Sequence, residues 1–406
     1  MKTPLSSAAV QGALAADLAA LPIIEKWVSF ASVSRDTNLP IIEWTRARLE
    51  AHGLECRLTY DDSGKKANLW ATLPAGNGES KRGGLVLSGH TDVVPVDGQP
   101  WDTDPFVAQV IGDKLYGRGV TDMKSYGATA LMMVPELLER KLKRPLHLAF
   151  SYDEEVGCIG VRRMIADMVQ SGFEPARCIV GEPTGMKVVI AHKGKHAYKT
   201  TVRGFEAHSS LTPLGVNAVE IACEFVAHLN SMHRKLAAEG PFDRVYDVPH
   251  TTIHTGVIAG GTALNIIPRR CEVTWEIRHH HLDNPEALFA EAEAFADSRV
   301  PAMQAVAPDT GITHQLNSVL PGFATDVHSE FARLCFTCAG VDHGEEAGKV
   351  SFGTEAALFQ QAGVPSIVCG PGHIAQAHQP NEWVALEQLA LCERFMRRLA
   401  DEICVS

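Results

Sequence analysis

The sequence contains no run of about eighteen apolar residues, the length a helix needs to cross a bilayer, so no membrane span is expected. It also lacks an excess of basic charge. Its 37 Lys and Arg face 48 Asp and Glu, a net −11, which leaves no field to draw in nucleic acid. There is no internal repeat and no low-complexity tract, which excludes a repeat array. The ten cysteines are scattered from Cys56 to Cys404 without a paired framework; only Cys335 and Cys338 form a CxxC. In a chain of this size they read as reduced, mostly buried thiols of a cytoplasmic protein. The alanine-rich segment 1–20 has no basic cluster and carries Asp17 where a signal peptide would be apolar, so no secretory leader is expected.

What is present is the composition of a globular protein: 406 residues, 45% hydrophobic and 21% charged, enough for two or three domains. An acidic enzyme of small metabolites fits this balance. Residues 40–52 carry apolar side chains at helical spacing, with Gly53 placed to end the helix. Short runs that are apolar along their whole length follow at 68–73, 84–88, 146–151 and 178–181, alternating with helical stretches at 128–141 and 161–169. Such strands belong to a central sheet covered on both faces. After Glu182 the strands 197–202 and 271–278 alternate apolar and polar, as strands with one wet face do, around a helix at 217–239. From about Pro301 the buried-strand pattern returns, with a strand at 365–370 and a closing helix at 383–403. The expected organisation is an α/β domain formed by residues 1–190 and 304–406, split by an α+β insert at 191–303.

Acidic and histidine residues gather where the buried strands end. His90 and Asp92 stand in SGHTDVVP, and a carboxylate two residues on can hold the second ring nitrogen of a ligating imidazole. His281 and Asp283 repeat that spacing in a polar stretch with no strand before it, and are taken as a chance copy. Asp122, in YGRGVTDMK, follows Gly117 and Gly119, which permit tight backbone geometry near an ion. Read alone, it is equally an aspartate cap for a helix beginning at Met123. At 153–155, Asp-Glu-Glu ends a strand, so adjacent carboxylates point in different directions, one towards a metal and its neighbour towards a water. Glu345 and Glu346 read instead as an exposed acidic turn. Glu182 and His378 again follow apolar strands. One Asp, two Glu and two His suit two zinc ions, with a carboxylate able to bridge them, and open α/β sheets collect sites at the carboxyl ends of their strands.

The motifs SGHTDVVP, GRGVTDMK, YDEEVG, VGEPTG and GPGHIAQAHQPNE, in this order from residue 88 to 382, resemble the di-zinc aminoacylase and acetylornithine deacetylase family of metallopeptidases. The resemblance implies a zinc-exopeptidase-like mixed sheet flanked by helices, with an inserted ferredoxin-like lid through which a homodimer forms. It implies two zinc ions per subunit, with cobalt a possible substitute: His90 and Glu182 on one, Glu155 and His378 on the other, and Asp122 bridging. Glu154 becomes the general base and Asp92 the partner of His90. In the insert, 204–210 (GFEAHSS) resembles the segment whose histidine, here His208, reaches the partner subunit's site and polarises the substrate carbonyl. The segment 260–265 (GGTALN), with Asn265, and Arg278 resemble substrate-binding positions, Arg278 holding a carboxylate. Gly353, Thr354 and Glu355 lie in a GTEA motif of the same kind, with Glu355 the candidate partner of a substrate ammonium.

The activity so implied is removal of the acetyl group from N2-acetyl-L-ornithine in arginine biosynthesis. A desuccinylase for succinyl-diaminopimelate, an aminoacylase or a dipeptidase is the alternative, and a non-catalytic metal-binding homologue is the alternative of a different class. The segment GRGVTDMKSYG departs from the family pattern, which has Thr-Cys before the aspartate and Gly after the lysine. These changes flank the ligand without altering it.

Overall fold

The computed structural model describes residues 17–76, 82–341 and 347–405; the expected turn at Glu345 and Glu346 lies outside them. Two compact units emerge: 1–191 with 324–348 and 354–406, and 192–323 with 349–353.

The first unit is built on a mixed sheet. Its strands lie in the order Cys56–Tyr60, Ala67–Leu73, Leu146–Ser151, Leu85–His90, Arg177–Val180, Ser366–Val368 and Val189–His192. The four strands from Leu146–Ser151 to Ser366–Val368 run parallel, and the flanking pairings are antiparallel. Leu85–His90 and Leu146–Ser151 are buried at every position, as strands covered on both faces must be. Because these strands are parallel, their carboxyl ends fall on one edge, which therefore carries His90, the 153–155 turn and Glu182 together. The chain runs from Leu85–His90 to a neighbour on one side and then crosses to Arg177–Val180 on the other. His90 thus ends the strand at which the order reverses, the place where such sheets open a crevice.

The helix expected over 128–141 is two helices, Lys124–Met132 and Val134–Arg140. Pro135, with no N–H to continue the first ladder, starts the second instead. The closing helix begins at Leu386, because Trp383–Ala385 pairs as a strand with Lys114–Tyr116. Cys335 and Cys338 are both free thiols buried in the helix Glu330–Ala339. Among the described residues no helix is long and apolar enough to cross a membrane.

The second unit carries a four-stranded antiparallel sheet ordered Thr252–Gly260, Arg270–His279, Gly194–Arg203, Gly311–Leu320. With the helices Ala218–Glu239 and Pro285–Asp297 this is the βαββαβ order of a ferredoxin-like unit. Burial alternates along Gly194–Arg203 and Arg270–His279, and the inward residues Tyr198, Val202, Val273 and Trp275 pack on Phe225, Leu229 and Ala292 of the helices. Asn217 begins the long helix by accepting the N–H groups of Val219 and Glu220, and Gly240, at φ +77°, ends it. The boundary expected at 303/304 falls before Gly311–Leu320, whose register with Gly194–Arg203 makes it part of this sheet.

Candidate metal centre

His90 is the last residue of its strand and is 1% exposed. Its Nδ1 lies 2.9 Å from the Asp92 backbone carbonyl. A carbonyl can only accept, so Nδ1 carries a proton; Nε2, directed at Asp122, donates to that carboxylate when protonated and is the nitrogen free to bind an ion when not. The Asp92 carboxylate, expected to hold this ring, is 3.6 Å away and does something else. It accepts Ser34 Oγ at 2.7 Å and the backbone N–H groups of Glu154 and Glu155 at 3.2 and 3.4 Å. Asp92 therefore orients the imidazole with its backbone and the acidic turn with its side chain.

Asp122 is reached through Gly119 at φ +84°, where an added Cβ would lie 2.8 Å from Val93. The helix that follows begins with Met123 as its cap residue and has no side-chain cap. Asp122 instead turns one carboxylate oxygen to each of two imidazoles, with Oδ1 2.9 Å from His90 Nε2 and Oδ2 3.1 Å from His378 Nε2. His378 Nε2 is also 2.9 Å from Glu155 Oε2, and His90 Nε2 is 3.7 Å from Glu182 Oε1. His90, Glu154 and Glu182 each offer an atom within one 4.8 Å cluster, and His90, Asp122 and Glu155 within another. The backbone is strained here: Asp153 and His378 hold φ +55° and +63°, values that side chains with a Cβ rarely adopt. Asp153 turns away from the cluster to an ion pair with Lys66 at 2.7 Å.

The carboxyls of the cluster perturb one another. Burial and the charge of Asp122 push Glu182 well above the carboxylate range. Burial, with the charges of Glu155 and Asp122 and against that of His90, raises Glu154 to about 8. Burial and Asp122 raise Glu155 to about 7, against hydrogen bonding from His378. Asp122 moves the other way, since against its burial the hydrogen bonds from His378 and His90 hold it low. Two buried oxygens, Glu155 Oε1 and Glu182 Oε1, have no hydrogen-bond partner among the described residues. Buried carboxylates that repel one another and leave oxygens orphaned fit a site built for divalent cations.

His208, Asn265, Arg278 and Gly353 belong to the second unit; Thr354 and Glu355 belong to the first. The chain around His208 pairs antiparallel with that around Ile266, and Ser209 N–H bonds the Asn265 carbonyl, so these two sequence segments do meet. Arg278 Nε donates to Glu276 at 2.7 Å. Glu355 is 1% exposed and accepts hydrogen bonds from Ser88 at 3.2 Å and from Ser151. Glu355 is thus tied to the ends of two neighbouring strands of the central sheet. His281 and Asp283 enter neither cluster.

Three contributors went unread in the sequence. Ser34 is held by no motif. Cys158, one helical turn after Glu154, donates its thiol to Glu154 Oε1 at 3.1 Å. Glu382 closes the segment that contains His378, and its carboxylate receives the backbone of the Asp122 loop; its place in that motif was the only available signal.

Residues 86–402 match the Peptidase family M20/M25/M40. Similar curated proteins include the acetylornithine deacetylase of Myxococcus xanthus, 34% identical over 388 residues that cover 93% of this chain and 95% of the relative. That of Photorhabdus laumondii is 30% identical over 381 residues, 93% and 94% of the two chains. In fold the chain is similar to the aminopeptidase PepT of Bacillus cereus, with a TM-score of 0.72, 19% identity and coverage of 94% and 97%. It is also similar in fold to a dinuclear metal-binding M20 peptidase of Bacillus subtilis, with a TM-score of 0.66, 14% identity and coverage of 94% and 97%. The family match begins in the strand that delivers His90, ends in the last helix and spans every residue of the cluster, and the chain belongs to the Peptidase family M20/M25/M40.

Proposed function

We propose that this chain is a metal-dependent amide hydrolase that removes the acetyl group of N2-acetyl-L-ornithine, giving ornithine and acetate, in arginine biosynthesis in the cytoplasm. The observation that carries the reading is Asp122 set between His90 and His378, with Glu182 and Glu155 on either side. The acetylornithine deacetylases it resembles across nine-tenths of its length support the substrate. His90 and Glu182 would hold one ion, Glu155 and His378 the other, with Asp122 shared; zinc suits this N and O donor set. Bound divalent ions supply Lewis acidity, polarising an amide carbonyl and lowering the pKa of water towards about 7.

Glu154 takes the proton of the attacking water and delivers it to the departing amine nitrogen, the two transfers of a general base placed beside the ligands. His208 donates to the substrate's carbonyl oxygen. Its Nδ1 accepts the Ser210 backbone N–H at 3.2 Å, so in the neutral ring the proton resides on Nε2, ready to donate. Arg278 pairs with the substrate carboxylate. A homodimer through the inserted unit would bring His208 to the partner's site. The edge strand Thr252–Gly260, with exposed Val257 and Ile258, offers a face for it.

The departures around Asp122 keep a desuccinylase, aminoacylase or dipeptidase as the second reading. Release of free amine from acetylornithine, succinyl-diaminopimelate, simple N-acyl amino acids and a dipeptide, with and without chelator, separates them. Glu154→Gln should retain the metal and lose on the order of a hundredfold or more in turnover. Near-normal turnover would remove Glu154 as the base.

A further inference from the structure

Three backbone N–H groups and one side chain of the loop that carries Asp122 converge on one carboxylate that the reaction does not use. Glu382, 1% exposed, accepts the Thr121 and Asp122 N–H groups on Oε1 at 2.9 and 3.2 Å. Its Oε2 accepts the Gly119 N–H at 3.1 Å and Arg118 Nη1 at 2.7 Å. Arg118 is equally buried, lies over the Trp101 ring at 5.1 Å, and uses its other terminal nitrogen, Nη2, to donate to Gln99 Oε1. Gln99 in turn donates its Nε2 to the backbone carbonyl of His378 at 2.9 Å. One buried pair is thereby connected to the backbone of both residues whose side chains meet at Asp122 Oδ2 and His378 Nε2.

We propose that Arg118 and Glu382, extended by Gln99, form the positioning device that sets the spacing of Asp122 and His378 and so determines how tightly the second ion is held. The proposal rests on the two-ion reading above. Its physical basis is the geometry of a planar guanidinium, which fixes two acceptors at once where an ammonium fixes neither plane nor spacing. Both loops need such support: His378 holds a left-handed backbone, φ +63°, which persists only when its surroundings over-determine it. Ligands must be kept within about 0.5 Å of their working geometry, and partners behind metal ligands typically contribute about 10- to 100-fold in affinity.

The test is zinc titration of the full-length chain against a chromophoric chelator, for the wild type, Glu382→Gln, Arg118→Lys and Gln99→Ala. Wild type should bind two ions. Glu382→Gln turns an amide donor towards either backbone N–H groups or the guanidinium, and Arg118→Lys loses the fork. Each should keep one tight ion and bind the second about 10- to 100-fold more weakly. Gln99→Ala, at a half-buried position, should weaken the second ion less and leave the unfolding temperature of the metal-free protein unchanged. Added zinc should restore activity in all three, which a merely structural lesion would not allow. Wild-type affinity for both ions in Arg118→Lys and Gln99→Ala would overturn the proposal, even if Glu382→Gln failed to fold. Fewer than two ions in the wild type would instead overturn the two-ion reading.

Discussion

The Cys158 thiol donates a hydrogen bond to Glu154 Oε1 across 3.1 Å from a position that is 2% exposed. Burial, and then the Glu154 charge, push the thiol well above its ordinary pKa, so it stays a protonated donor. Cys158 itself adopts φ +53° at the start of the helix Ile159–Gln170, where it caps no backbone group with its side chain. Its polar atom is spent on the carboxylate. Cys158→Ala should therefore lower kcat by roughly five-fold, the equivalent of about 1 kcal/mol for one modest hydrogen bond, at unchanged KM and metal content. Cys158→Ser, which restores an O–H donor, should recover most of it. Equal rates in the Ala variant and the wild type would reduce the thiol to packing.

Removing metal should destabilise the first unit, because Glu154, Glu155 and Glu182 then face one another as buried carboxyls without a cation. A free ion at about a hundred times its Kd adds roughly 2.7 kcal/mol to the folded state. Thermal unfolding of the chelated protein should accordingly shift upward by several degrees on zinc addition. In Asp122→Asn the shift should shrink or vanish, and a full shift in that variant would show that the ion binds elsewhere.

His208→Ala should abolish turnover without changing metal content. Mixed with Glu154→Gln and allowed to exchange subunits, it should regain about a quarter of wild-type activity. Half of the random dimers then contain one site with both residues intact. No recovery after demonstrated exchange would assign His208 to its own chain's site.

The second unit should lose stability on acidification. His279 has neither ring nitrogen hydrogen-bonded among the described residues and packs edge-on to His196 at 5.3 Å. Burial, and then the charge of His196, lower its pKa, against the weaker opposing charges of Glu286 and Asp283. Burial also lowers His196 and His314. With folded-state values depressed, the unfolded chain binds protons first as pH falls below about 6.5. Stability is thus present above that pH and is lost progressively down to the lower folded values. Unfolding temperatures measured between about pH 7.5 and 5.5 should fall, and less steeply in His279→Phe. An equal slope in that variant would clear His279.

Local pattern was legible to within a few residues. Uniformly apolar runs became the strands Leu85–His90 and Leu146–Ser151, alternating runs became Arg270–His279, and Asn217 and Gly240 bounded the helix between them. These follow from burial periodicity and end chemistry, which neighbouring residues carry by themselves. The placement of acids and imidazoles after buried strands was legible for the same reason, since parallel strands bring their carboxyl ends to one edge.

Which atom does what was decided only by the tertiary structure. Sequence spacing offered the Asp92 carboxylate to His90, and the fold used the Asp92 carbonyl there and sent the carboxylate to Ser34 and the acidic turn. Glu355 read as a substrate contact, and the fold also tied it to Ser88 and Ser151. Glu382 acquired a partner 264 residues away, a span over which no local pattern carries information, and Cys158, only 4 residues from Glu154, offered a thiol that no motif marks as a donor. Hydrogen bonds of buried polar groups are a global constraint, because each must be satisfied by whatever the packed chain brings within about 3 Å. The sequence determined which side chains gather at the sheet edge; only packing determined that Asp122 would stand between two imidazoles and that Arg118 and Glu382 would hold it there.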